Sequence, residues 1–191
     1  MLCIKNGNIH NGIKEEAFVA DILVENGKIK EIGENLSVDG DTEIVDATGK
    51  EIYPGFVEAH GHIGLDGYGI GYEGMDYNEM NDIVSPQLRG LDGVKAMDPA
   101  FEKAAEAGVT CVCVGPGSAN VLGGTFTTIK TVGKRSDDMV VRDAVAMKCA
   151  FGENPKRCYR DKGDSCRMTT AFKLREALAK AKEYLNKKEA A

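Results

Sequence analysis

A chain of 191 residues with 42% hydrophobic and 28% charged residues has the balance of a folded globular protein, with room for one sizeable domain or a small domain and part of a larger one. Its net charge of −6, with no basic stripe before the C-terminal helix, argues against nucleic acid as a partner. The N-terminus MLCIKNGNIHNG interrupts every apolar run within a few positions, and the chain has no run of about 20 apolar residues, so neither export nor membrane spanning is expected and the cytoplasm is the expected compartment. Cys3, Cys111, Cys113, Cys149, Cys158 and Cys166 form no CxxC pair. They read as reduced, mostly buried small hydrophobes. A zinc knuckle built on Cys158 and Cys166 has no supporting spacing.

The first elements are strands. Leu2–His10 and Ala20–Gly33 alternate apolar and polar residues, and Asn26-Gly27 lies between two such runs. That pair suits the positive φ angles of a type I′ turn and predicts a hairpin. Thr42–Gly55 follows, with Gly49 as another turn. Residues 1–53 therefore read as a small antiparallel β unit with one buried face.

Pro54-Gly55 breaks this pattern. Phe56–His60 reads as a short buried strand, and residues 64–95 as a long loop with short helices at most. Asp98–Gly108 begins Asp-Pro, is rich in alanine and ends in glycine, so both helix ends are marked. Val109–Ser118 is an apolar run closed by Gly-Pro-Gly, hence a buried strand. Thr125–Gly133 and Asp143–Gly152 read as further strands. Thr169–Ala191 reads as a helix with an apolar stripe of Phe172, Leu174, Leu178, Ala181 and Leu185, and lysines near its C-terminal end, where the helix dipole favours them. This α/β order with buried strands predicts a parallel sheet.

His60 and His62 stand one residue apart on the predicted strand. Alternation puts both on one face with Glu58, and Gly61 between them lets the backbone bend. Two imidazoles about 7 Å apart can converge on one divalent ion where a strand twists or ends. Read alone, the pair is equally compatible with two histidines in ordinary hydrogen bonds.

The context is Pro54-Gly55-Phe56-Val57-Glu58-Ala59-His60-Gly61-His62. It resembles the Pro-Gly-Phe-(Val/Ile)-Asp-(Ala/Cys)-His-x-His signature of the amidohydrolase superfamily, departing from it at Glu58. The resemblance implies that this segment ends the first strand of a (β/α)8 barrel, that a small β-sandwich precedes it, and that His60 and His62 bind a catalytic metal. Val114–Gly124 (VGPGSANVLGG), Gly152–Tyr159 (GENPKRCY), Arg167-Met168 and the Leu174–Tyr184 helix are similar to an imidazolonepropionase-like, prolidase-like branch. The implied fold is α/β: residues 1–53 a β-sandwich segment, residues 54–191 the N-terminal half of a metal-dependent hydrolase barrel. The implied cofactor is zinc, one or two ions in the complete enzyme.

Two residues are candidates for a further ligand, Glu153 ahead of Lys148. Glu153 falls just past the end of a strand, where barrel active sites are built; the competing reading is a helix cap or an ion pair with Lys156 or Arg157. Lys148 stands where related enzymes carry a carbamylated lysine, or else points out of the barrel. The GPGSANVLGG segment lacks phosphate-loop spacing and reads as a tight active-site loop. In it Ser118 and Asn120 either face substrate or form a structural turn.

The family mechanism needs further histidines and an aspartate from later strands; here the one other histidine is His10. The reading is a hydrolase of a cyclic-amide or dipeptide-like C–N bond in truncated or split form. The alternative is a non-catalytic remnant or a subunit. The expected partners are a small-molecule substrate and either the missing barrel half or a second copy of the chain.

Overall fold

Alternating apolar residues and an Asn-Gly turn build the first of two compact units, Met1–Gly55, in the computed structural model, which describes residues 1–163 and 166–190. Strands β1 (Leu2–Ile9), β2 (Phe18–Glu25), β3 (Lys28–Gly33), β4 (Glu43–Asp46) and β5 (Glu51–Ile52) form one sheet in the order β3-β2-β1-β4, with β5 also on β1. Asn26 (φ 52°) and Gly27 (φ 73°) close the β2–β3 hairpin with the two positive φ angles a type I′ turn requires. Ile9, Ala20 and Ile22 are buried, with Ile4, Phe18, Val24 and Ile52 packed on them.

The unit is not purely antiparallel, as its sequence suggested. β4 and β5 both run parallel to β1, since residues 34–42 carry the chain across to the far edge of β1. Asp21 secures that crossing. Its carboxylate accepts from the backbone N–H of Asn6 and of Leu36, each at 2.9 Å, and Lys5 Nζ lies 3.7 Å away. Asn6, at φ 61°, marks the register shift in β1 between Ile4 and Gly7. The Asn6 N–H, with that of Leu36 and the Lys5 charge, outweighs burial and holds the Asp21 carboxyl below its ordinary 3.8. A depressed folded-state pKa adds stability that is present above the unfolded value and lost as pH falls through the folded one. Asp21→Ala is therefore expected to lower stability at neutral pH by about 2 to 4 kcal/mol, because two backbone donors lose their acceptor. The deficit should shrink below about pH 4 in denaturant melts followed across the acid range.

The second unit, Phe56–Ala191, holds the other sheet. Strands β6 (Phe56–Gly61), β7 (Val109–Val114), β8 (Leu122–Lys130) and β9 (Val140–Cys149) lie in that order. Between β6 and β7 the chain passes through a helical turn, α1 (Gly90–Gly93), and through α2 (Pro99–Glu106). Asp98 caps α2 by accepting from Ala100 N at 2.8 Å and ties the preceding loop to it by accepting from Tyr68 N at 3.0 Å. This crossover leaves β6 and β7 parallel.

β8 departs from the expected parallel sheet. It runs antiparallel to β7 and to β9, so within this sheet only β6 and β7 form a parallel pair among the described strands. The cause is connection length. Residues 115–121 and 131–139 contain no room for a crossover of a dozen residues, so each strand must turn back on its neighbour. The sheet is open, with β6 and β9 as its edges, and no closed barrel forms among the described residues.

Leu65, Leu91, Val94, Phe101, Val112, Val114, Ile129 and Met139 make the core beneath this sheet. The remaining helices are α3 (Ser136–Met139), α4 (Glu153–Cys158) and α5 (Arg167–Glu189). Leu174 of α5 packs on the cluster of Ile83, Ala119, Val121 and Tyr159. The rest of the expected stripe is open: Phe172, Leu178 and Leu185 are about half exposed. Ala191, expected to end the helix, lies outside the described residues.

Candidate metal centre

His60 and His62 sit where β6 ends. The β6–β7 register shifts between Glu58 and Gly61, so the alternation of side chains breaks just before the second histidine. Glu58 curls back to accept from the backbone N–H of His60 at 3.0 Å. The imidazole centroids lie 5.3 Å apart with the rings nearly perpendicular, at 82°.

Each ring is held by residues from other elements. Nδ1 of His62 lies 2.8 Å from the carbonyl oxygen of Gly115, just past the end of β7. A carbonyl only accepts, so Nδ1 carries a proton, and Nε2 is the nitrogen through which the ring would reach a metal. Tyr77 stacks on the same imidazole, with centroids 5.0 Å apart and planes 13° apart. His60 meets the buried ring of Phe126, on β8, edge to face at 5.3 Å.

Lys148, on β9, brings its Nζ to 3.4 Å from Nε2 of His60 and 5.8 Å from the centroid of Phe126. It is 9% exposed, which is rare for a lysine without an acidic partner. Burial pushes the Lys148 amine below its ordinary 10.5. Although His60 is exposed as a residue, partial desolvation of its ring first, then the Lys148 charge and then His62, hold it below 6.5, with Glu58 opposing them. Both groups are thereby biased to the neutral, ligand-competent form.

The other sequence candidates lie elsewhere. Glu153 opens α4 with its side chain 84% exposed, paired to Lys156 Nζ at 2.5 Å. That hydrogen bond and charge hold its carboxyl low, and no contact joins it to the histidines among the described residues. Asn120 is fully buried, donating to the carbonyl oxygens of Glu79 and Asp82 and to the Tyr159 hydroxyl. This knot ties the 79–82 loop to the Gly-rich segment, the work of a structural turn. Ser118 is half-buried in the same loop. Among the described residues no third His, Cys, Asp or Glu joins the two imidazoles.

The chemistry of this donor set fits a divalent ion: two imidazoles, one with its Nδ1 committed to a carbonyl, beside an amine with weakened basicity. The sequence points to His60 and His62 and prefers Glu153 to Lys148 as the further ligand, and it gives no sign of Gly115 as an acceptor or of Tyr77 and Phe126 as ring partners. Tyr77 lies in a loop without periodicity and carried no local signal.

No protein-family model matches the chain. A crystal structure of an amidohydrolase from Thermotoga maritima matches 100% of this chain and 50% of its own, with a TM-score of 0.93 and 45% identity. The amidohydrolase tasK of Hapsidospora irregularis is 31% identical over 189 residues, 90% of this chain and 19% of its own length. A dihydroorotase of Thermoanaerobacter is 45% identical over 67 residues, 35% of this chain and 15% of its own. The chain thus spans half or less of the length of these relatives. The likenesses support the amidohydrolase superfamily as its family.

Proposed function

We propose that this chain supplies the two-histidine corner of a metal-dependent amidohydrolase that cleaves a C–N bond in a cyclic amide or a dipeptide-like substrate. The observation that carries this reading is the meeting of His60 at the end of β6 and His62 just past it with Lys148 of β9. The names of the relatives, amidohydrolase and dihydroorotase, agree with a C–N hydrolase. The GPGSANVLGG and GENPKRCY motifs keep an imidazolonepropionase-like substrate within the proposal.

His60 and His62 would hold the ion, zinc in the first instance, through ring nitrogens. A bound divalent ion supplies an acidified water and polarises the substrate carbonyl. Lys148 would supply a third ligand by reacting with carbon dioxide. Its deprotonated Nζ would form the new N–C bond, one C–O π pair would move onto oxygen as the carboxylate charge, and one N–H proton would pass to solvent, leaving the carbamate. The Glu153 carboxylate would have to leave Lys156 to serve instead, so the geometry favours Lys148. The Gly115 carbonyl and Phe126 orient the rings.

The exposed apolar residues of the edge strands favour an assembly in which further polypeptide covers them, whether a complementary barrel segment or a second copy. Phe56 and Val57 on β6 are 59% and 63% exposed, and Val141 on β9 is 53% exposed. Unpaired strand edges with apolar faces are ordinarily covered.

Bicarbonate tests the ligand assignment. Zinc affinity of the 191-residue chain should rise about tenfold or more with bicarbonate, as expected for gain of an anionic ligand. Lys148→Met should abolish that rise and Glu153→Gln should not. Bicarbonate-independent affinity that falls in Glu153→Gln would overturn the Lys148 assignment in favour of Glu153.

A further inference from the structure

We infer that Tyr77 is a positioning residue for His62, fixing the plane of the imidazole so that Nε2 is set for a metal before any metal binds. The inference rests on the metal reading of the two-histidine corner. His62 follows the last residue of β6, so no strand ladder restrains it. Its Nδ1–H bond to Gly115 fixes one edge of the ring, but a single hydrogen bond leaves the ring free to pivot about the Nδ1···O line. The Tyr77 face, nearly parallel to the imidazole at 5.0 Å, blocks that pivot, and the perpendicular His60 ring at 5.3 Å bounds its surroundings further.

Tyr77 is itself clamped by the loop that supplies the Gly115 carbonyl. The backbone N–H of Gly117 donates to the Tyr77 carbonyl at 2.6 Å. A Cβ on residue 117 would lie 2.4 Å from Cδ2 of Tyr77, so only glycine lets the ring settle there. One residue on, Asn78 Oδ1 accepts from Ala119 N at 3.2 Å. Tyr77 also packs on the core cluster that contains Leu65 and Val114. The segment 115–119 therefore provides both restraints on His62: the acceptor directly, and the stacking face through Tyr77. Neither belongs to the His-x-His signature.

Two measurements on the 191-residue chain test this. In the metal-free protein, nitrogen-detected NMR should show His62 as a single Nδ1–H tautomer, its ring protons shifted upfield by the Tyr77 ring current. Zinc affinity by chelator competition should fall about 10- to 100-fold in Tyr77→Leu, the range for lost support of a ligand. Tyr77→Phe, which keeps the face and loses only the hydroxyl, should stay within about twofold of the parent. The NMR measurement decides the matter even if Tyr77→Leu fails to fold. A His62 ring that exchanges between tautomers with no ring-current shift, or undiminished zinc affinity in a folded Tyr77→Leu, would overturn the inference. Absence of zinc binding by the parent would instead overturn the metal reading on which it rests.

Discussion

Replacing both His60 and His62 by alanine is expected to weaken zinc binding by about two orders of magnitude or more, beyond the range for losing a supporting residue alone. Once both imidazoles are gone, the donor left in the cluster is Lys148, whose amine is a poor zinc ligand. The two side chains carry little of the fold: His60 is exposed and His62 half-buried, while the core beneath them is Leu65, Val112, Val114 and their neighbours. The double variant should therefore melt close to the parent, separating loss of metal from loss of structure. Competition against a chromophoric chelator measures the first, and a denaturant melt the second. A double variant that binds zinc as tightly as the parent would remove the two-histidine centre from consideration.

Hydrolysis by residues 1–191 alone is expected to lie at least about a thousandfold below that of a completed site, for dipeptides, hydantoins and imidazolone-type substrates alike. Metal-assisted cleavage needs a group to manage the proton and groups to hold the substrate, and these act as a unit. Among the described residues the corner has two imidazoles and one lysine, and the Glu58 carboxylate beside them is turned back onto the His60 backbone N–H. The third histidine, His10, belongs to the first unit, where it bonds to Glu51 at 2.6 Å and stacks on Tyr53. Supplementing the chain with a polypeptide equivalent to the other part of the Thermotoga maritima amidohydrolase should restore turnover. Zinc-dependent turnover by the 191-residue chain alone, lost in His62→Ala, would contradict this.

Local signals in the sequence were read well where the physics is local. Asn26-Gly27 declared its hairpin because few other pairs tolerate two positive φ angles, and Asp98-Pro99 with Gly108 declared both ends of α2. His60 and His62 stood out because their spacing and neighbours form a motif. Strand direction was not legible in the same way. β4, β5 and β8 read correctly as strands, but direction depends on connection length and on which edge is free, and apolar content is blind to both. The candidate site divides along the same line. A ligand such as His62 is marked by its own motif, whereas Tyr77, Gly115 and Phe126 act on the histidines across sequence separations that no window spans. Both Glu153 and Lys148 stand near the end of β9, and the sequence prefers Glu153 because it falls just past the strand. The contacts that bear on the choice, a 3.4 Å approach of Lys148 to His60 and an ion pair of Glu153 with Lys156, are tertiary.

The most direct measurement of the central claim is X-ray absorption spectroscopy of the zinc-loaded 191-residue chain in the presence of bicarbonate. The spectrum should show imidazole scattering from two histidines at about 2.0–2.1 Å together with oxygen ligands at about 2.0–2.2 Å, and no sulfur. His60→Ala and His62→Ala should each remove one imidazole, and Lys148→Met should remove an oxygen while leaving both. Zinc held by sulfur at about 2.3 Å, or an imidazole signal unchanged in both histidine variants, would contradict the account.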